Sequence, residues 1–259
     1  MTTISKNLAA DYEHDGFLSG VDVFSTKEID EYRAAFDKIE QREGTEKCQV
    51  GLKDLHFTER FIWDMVTDHR VLEAMRAVMG PDILLLATHF FCKFPEADPK
   101  TYVAWHQDVL YWGIEPPLAH TAWIAIDDSD EGNGCMQVKQ GTHHKGLVSH
   151  GLAEKEGNLL RVKNQEIERE HLENTKTVDL VLRAGQMSIH HGQIFHGSLP
   201  NRSDRRRCGL TGRFIPTHVD QPKPNSTGGK YQPILVSGED RYGHFEKLPL
   251  PYPLPGAQG

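Results

Sequence analysis

Ile83-Leu84-Leu85-Leu86-Ala87-Thr88-His89-Phe90-Phe91-Cys92-Lys93-Phe94 is where the chain changes character. Ahead of it, apolar residues recur at helical spacing. Ser25-Thr26-Lys27-Glu28 has the form of a capping box, and Ile29, Tyr32, Phe36 and Ile39 follow as one stripe. A second helix is expected over Arg70–Met79, with Val71, Leu72, Met75, Val78 and Met79 apolar and Gly80-Pro81 as its stop. Both stripes read as core packing. From Ile83 onward, short β segments take over: 83–87, 90–94, 123–127, 136–139, 178–182, 187–191 and 208–216. Turn signals such as Glu131-Gly132-Asn133-Gly134 and Arg183-Ala184-Gly185 separate them. Helices first and many short strands afterwards predict a mainly β, α+β chain, a sandwich or barrel with helical support. One domain over 1–259 is expected: helical support in 1–80, a β core in 81–216 and a loop-rich tail in 217–259. The charged stretch Glu154–Lys176 reads as a partly helical excursion.

The chain has 259 residues, of which 38% are hydrophobic and 25% charged, the composition of a globular protein. A net charge of -8 argues against nucleic-acid binding, and Arg205-Arg206-Arg207 is the one obvious basic run. No apolar run approaches the roughly 20 residues that span a bilayer, so no membrane partner is expected. The first residues lack the features of a secretory signal, and a cytoplasmic location is the expectation. Cys48, Cys92, Cys135 and Cys208 show no CxxC spacing and read as reduced thiols.

The residues with the most chemical content are Trp105-His106-Gln107-Asp108 and, far downstream, Phe195-His196-Gly197-Ser198. In a strand, His106 and Asp108 would share a face, because side chains alternate with period two. A histidine from a later strand would complete two imidazoles and a carboxylate, a set that suits non-haem Fe(II) and leaves coordination positions open. By itself His-x-Asp is common, and its bland reading is a satisfied histidine beside a surface carboxylate. Its neighbours Trp105, Tyr111 and Trp112 are suited to walling off a dry pocket. Arg207, at the start of a later strand, is suited to a bidentate grip on a dicarboxylate.

With these pieces in order, the chain resembles the phytanoyl-CoA dioxygenase family of Fe(II)/2-oxoglutarate oxygenases, from Tyr12-Glu13-His14-Asp15-Gly16-Phe17 to about Pro216. Ala122-Trp123, Asn133-Gly134-Cys135 and Gly141-Thr142-His143 belong to the same pattern. The resemblance implies a double-stranded β-helix core, a cupin-like jelly roll. It implies His106, Asp108 and His196 as iron ligands and Arg207 as the anchor of the distal carboxylate of 2-oxoglutarate. Ser198 or Thr211 would supply a hydroxyl, and Trp123 and His89 would lie beside this cosubstrate. His190 and His191 compete with His196, but His196 alone precedes Gly-Ser. Gln186 stands where the family usually has an aspartate, at a position expected to serve a turn.

The implied reaction uses Fe(II), 2-oxoglutarate and O2 to hydroxylate a small molecule, releasing succinate and CO2. Segments around Phe90–Pro95 and Trp105–Gln107 also resemble related iron halogenases, in which a small residue replaces the carboxylate. Asp108 favours hydroxylation, although desaturation or cyclisation can follow from the same oxidant. Lys93, Trp112 and Arg213 are the candidate substrate contacts, and inward-facing cations would suit an anionic metabolite. A cupin-like barrel that binds without turnover is the rival reading, disfavoured by retention of Arg207.

Overall fold

The protein is described here from a computed structural model that covers residues 8–153, 155–160 and 165–255. Helices α1 (Leu8–Asp15), α2 (Thr26–Glu43), α3 (Thr45–Val50), α4 (Arg60–Val66) and α5 (His69–Met79) come first, with strand β1 (Phe17–Asp22) between α1 and α2. The remainder is mostly strand: β2 (Ile83–Lys93), β3 (Val103–His106), β4 (His120–Ala125), β5 (Met136–Lys139), β6 (His150–Leu152) and β7 (Gln165–Ile167). After the single turn α6 (Arg169–Leu172) come β8 (Thr177–Leu180), β9 (Gln186–His191), β10 (His196–Ser198), β11 (Arg207–Pro216) and β12 (Ile234–Ser237). A six-stranded antiparallel sheet in the order β1-β9-β4-β11-β2-β12 faces a four-stranded sheet β3-β10-β5-β8. Together they form the expected jelly roll.

Alternation along β11 explains the layers. Cys208, Leu210 and Phe214 point to the helices, where they join Phe36, Trp63, Met75 and Phe90 in the largest apolar cluster. Arg207, Thr211 and Arg213, on the other face, line the space between the sheets. Trp123, Met136, Val138 and Leu180 close part of that space as a second core. The capping box is present: the Ser25 hydroxyl accepts from the Glu28 amide, and the Glu28 carboxylate accepts from the Ser25 amide. Gln186 does serve a turn, accepting from the Arg183 amide at 2.9 Å and donating to Asp22.

Three details differ from the sequence reading. Thr88 and His89 do not interrupt β2, because its ladder with β11 runs from Lys93 to Ile83 and absorbs them. The tail adds a strand, β12, to the edge of the large sheet beside β2. Its far end is tied down where the Trp63 indole donates to the Pro253 carbonyl at 3.2 Å. The 154–176 excursion has the expected helical turn but adds a strand, β7, which pairs back with β6 ahead of it, with 154 and 161–164 outside the described residues. Among the described residues, no helix is long and apolar enough to cross a membrane.

Burial also fixes protonation. It pushes the pKa of His56 down to about 4, of His191 to about 4 and of His120 to about 3. Unfolded imidazoles gain protons below about pH 6.5, while these stay neutral until about pH 3 to 4. The stability they contribute is therefore complete above pH 6.5 and is lost as pH falls, by about 1.4 kcal/mol per pH unit for each histidine. We expect the midpoint of thermal unfolding to drop between pH 6.5 and 4, and less steeply in His120→Gln. An equal slope in that variant would remove His120 from the account.

Candidate active site

Neighbouring strands of the smaller sheet bring His106 and His196 together as directly opposed residues of β3 and β10. Their rings lie 4.0 Å apart, centroid to centroid. Each ring is fixed by its own backbone: His106 Nδ1 donates to the Ala104 carbonyl at 2.9 Å and His196 Nδ1 to the Ile194 carbonyl at 3.1 Å. That assigns the proton to Nδ1 and leaves a lone pair on Nε2 of both rings. The two Nε2 atoms stand 3.6 and 3.9 Å from Asp108 Oδ1. Gly197 permits the close pairing, since a Cβ there would sit 2.8 Å from the Val103 carbonyl.

Asp108 is not in the strand. β3 ends at His106, and Asp108 opens a 3-10 turn spanning Asp108–Tyr111. Gln107 explains the geometry. Its buried amide donates to the Gly146 and Gln193 carbonyls at 2.8 and 2.7 Å and accepts from the Val148 amide at 2.9 Å. With Gln107 stapled outward, the chain turns and brings Asp108 back beside the imidazoles, where Thr121 Oγ1 donates to it at 3.3 Å. Burial alone would raise the Asp108 pKa, but His106, His190, His196 and Arg213 outweigh it and hold the carboxyl well below its usual range. His196 is pushed well below its usual value by burial and by the His106 ring.

Three electron-pair donors therefore face one another with no proton assigned between them, all three ligand atoms lying within 4.8 Å. Neutral imidazoles and one carboxylate fit a divalent transition metal, and the cation would replace their mutual repulsion by coordination. His190 reaches the same place, with Nε2 3.6 Å from Asp108 Oδ2 and neither ring nitrogen hydrogen-bonded. His191 faces away, its ring 5.3 Å from those of His120 and His143. His196 thus opens β10, rather than ending a strand, and completes the donor set.

Charge sorting separates the three consecutive arginines. Arg205 pairs with Asp130, and Arg206 with Asp37, Glu40 and Asp127. Arg207 turns inward, 3% exposed, with its guanidinium 4.8 Å from the Trp123 ring centroid. Among the described residues no carboxylate pairs with it, its Nε has no partner, and burial lowers its pKa. An unpaired buried guanidinium calls for an anion. Ser198, Thr211 and Trp123 line the same narrow cavity, which runs from Arg207 to Asp108. Gly209 lets the indole lie across β11, because a Cβ there would overlap it.

A second cavity of about 440 Å³ meets the first at His106, Asp108, Phe91 and Arg213. Trp112 and Tyr111 line it, and Trp112 stacks under Arg213 at 4.8 Å. Three sequence expectations are corrected here. His89 lines this larger cavity and not the one holding Arg207, and its Nε2 donates to the Val50 carbonyl at 2.8 Å. Lys93 lines neither cavity: it is 1% exposed, its ammonium donating to Ser198 Oγ at 2.7 Å and to the Leu199 carbonyl. Trp105 packs under Lys139 instead of walling the pocket, because it sits on the strand face opposite His106. Sequence reasoning missed Asn225–Gln232, which supplies one wall of the larger cavity and carries no periodic signal.

The sequence model of the phytanoyl-CoA dioxygenase (PhyH) family matches residues 12–209. The chain is 26% identical over 227 residues to the peroxisomal phytanoyl-CoA dioxygenase of Bos taurus, covering 78% of this chain and 66% of the bovine protein. It therefore spans just under two thirds of that relative's length. It is 27% identical over 221 residues to a probable alpha-ketoglutarate-dependent hypophosphite dioxygenase of Stutzerimonas stutzeri, covering 84% and 76%. Among solved structures, the non-heme monooxygenase ThoJ in its apo form superposes with a TM-score of 0.73 at 26% identity, covering 93% and 86%.

Gly209→Ala tests the packing around Arg207. The added methyl must displace the indole, at a cost of about 1 to 3 kcal/mol. We expect a lower thermal midpoint together with altered Trp123 fluorescence. An unchanged midpoint would mean that β11 has room the structure does not show.

Proposed function

This chain belongs to the phytanoyl-CoA dioxygenase (PhyH) family, and from that premise we propose an Fe(II)- and 2-oxoglutarate-dependent dioxygenase that hydroxylates an unactivated carbon of a small anionic metabolite. One observation carries the reading. The facing set His106, Asp108 and His196 shares a cavity with a buried arginine that has no carboxylate of its own. The first suits the metal, and the second suits the far end of a dicarboxylate chelating it. A barrel that only bound a metal would have no use for Arg207.

Iron with 2-oxoglutarate and oxygen supplies an oxidant able to take hydrogen from an unactivated carbon, with release of succinate and CO2. The chain's residues bind, orient and exclude water. The carbonyls of Ala104 and Ile194 hold the imidazoles in the ligating tautomer. Arg207 and Trp123 fix the distal carboxylate, so the keto-acid end is directed at the three ligands. Substrate enters through the larger cavity, where aromatic walls at Phe91, Tyr111 and Trp112 limit water.

The lining of that cavity supports an anionic substrate. Lys53, Arg213 and Lys230 border it, against Asp54 and the ligand Asp108. Arg213 stands where the two cavities meet, so it can hold an acid group close to the metal. Asp108 also supports hydroxylation over halogenation, since a filled carboxylate position leaves no place for a halide ligand.

Two measurements test the reading. Fe(II) and 2-oxoglutarate added without oxygen should give wild-type protein a visible charge-transfer band, absent in His196→Ala and Asp108→Ala; a wild type without the band would sink the proposal. Across a panel of anionic metabolites, the true substrate should stimulate succinate formation and gain sixteen mass units. Arg213→Leu should raise the substrate KM by roughly tenfold or more while leaving the band intact, as expected for loss of a charged hydrogen bond.

A further inference from the structure

We infer that Lys93 is a positioning residue for the cosubstrate, acting through the hydroxyl of Ser198. The inference rests on the reading that 2-oxoglutarate binds against Arg207. Lys93 stands directly opposite Arg207 in the β2–β11 ladder. It touches neither cavity, and its ammonium donates to Ser198 Oγ at 2.7 Å and to the Leu199 carbonyl. An ammonium has three donors and no acceptor, so Ser198 must take this bond on a lone pair. Its own hydrogen is then turned away from Lys93. Ser198 lines the narrow cavity beside Arg207, and that is where the hydrogen is left to donate.

The other hydroxyl at this end is already committed, since Thr211 Oγ1 donates to the His89 carbonyl at 2.8 Å. Ser198 is therefore the hydroxyl with a free hydrogen for the distal carboxylate, and Lys93 sets its direction. Burial, then the neighbouring Arg207, pulls the Lys93 pKa well below its usual value. A carboxylate arriving beside both cations opposes that pull and keeps the ammonium protonated. Lys93 and Arg207, opposite each other in the ladder, and the Ser198 hydroxyl that Lys93 orients thus form a site for a carboxylate, and a 2-oxo acid without a second carboxylate gains nothing from it.

The test is calorimetric binding of 2-oxoglutarate to the Mn(II)-loaded, oxygen-free protein, with pyruvate as the acid lacking the distal carboxylate. Wild type should bind 2-oxoglutarate far more tightly than pyruvate; equal affinities would overturn the cosubstrate reading itself. Given that preference, Ser198→Ala and Lys93→Met should each weaken 2-oxoglutarate by roughly 10- to 100-fold, the range for one hydrogen bond to a charged group. Neither should move pyruvate. The double variant should be no weaker than the worse single one, because both remove the same bond. Fully additive losses would mean that Lys93 acts on the anion directly, and an unchanged Ser198→Ala would show that the hydroxyl plays no part. Either overturns the inference. Lys93→Gln replaces Lys93→Met if the latter does not fold.

Discussion

Everything in the site depends on holding three electron-pair donors together without a proton to share. Two imidazole lone pairs aimed at one carboxylate oxygen repel, and burial strengthens the repulsion. The fold enforces the meeting from behind. Carbonyls two residues upstream pin both rings. The directly opposed pairing of His106 with His196 sets their separation. Gln107, with three hydrogen bonds to the 146–148 loop and to Gln193, forces the turn that returns Asp108. A site built this way is already organised for a cation, so little reorganisation is required on binding.

The same logic governs the positive charges. Arg205 lies in the bend ahead of β11, Arg206 just before the strand and Arg207 at its first position, so three identical side chains meet different environments. Arg205 and Arg206 find carboxylates on the outer surface and on α2. Arg207 is delivered to the interior, where its flat guanidinium covers an indole and, among the described residues, no carboxylate pairs with it. Surface pairs of the first kind contribute little. An unpaired buried cation, by contrast, costs stability until an anion arrives, which is the behaviour of a binding group.

Much of this was legible in the sequence, and what was not has physical causes. His106, His196 and Arg207 could be placed because short motifs and strand periodicity agree around them. The position of Asp108 beyond the strand end was not legible, because it depends on hydrogen bonds of Gln107 to loops distant in sequence. The outward direction of Trp105 was missed, although alternation against His106 carries it. Lys93 and His89 were assigned to the wrong surroundings because a strand pattern gives the face of a residue but not what meets it there: His89 faces the larger cavity, and the Lys93 ammonium ends on Ser198 and the Leu199 carbonyl. β2 read as two strands because Thr88-His89 looks polar, and the ten-pair ladder with β11 overrides that local signal.

The larger cavity is built from two kinds of chain. The family match ends at residue 209, while Arg213 and one whole wall, Asn225–Gln232, lie beyond it. That wall is an irregular segment held by a few polar contacts. Gln221 donates to the Trp112 and Gly229 carbonyls and accepts from the Tyr231 amide, and the Ser226 amide donates to the Tyr111 carbonyl. Such a segment can change length and composition without disturbing the ladders that hold His106, His196 and Arg207. His106, Asp108, His196 and Arg207 lie inside the matched residues together with part of the larger cavity's lining, including Phe91, Tyr111 and Trp112, while Arg213 and Asn225–Gln232 lie beyond them. Lys230 and Tyr231 stand on that irregular wall, so they can vary while the strands that carry His106, His196 and Arg207 stay fixed.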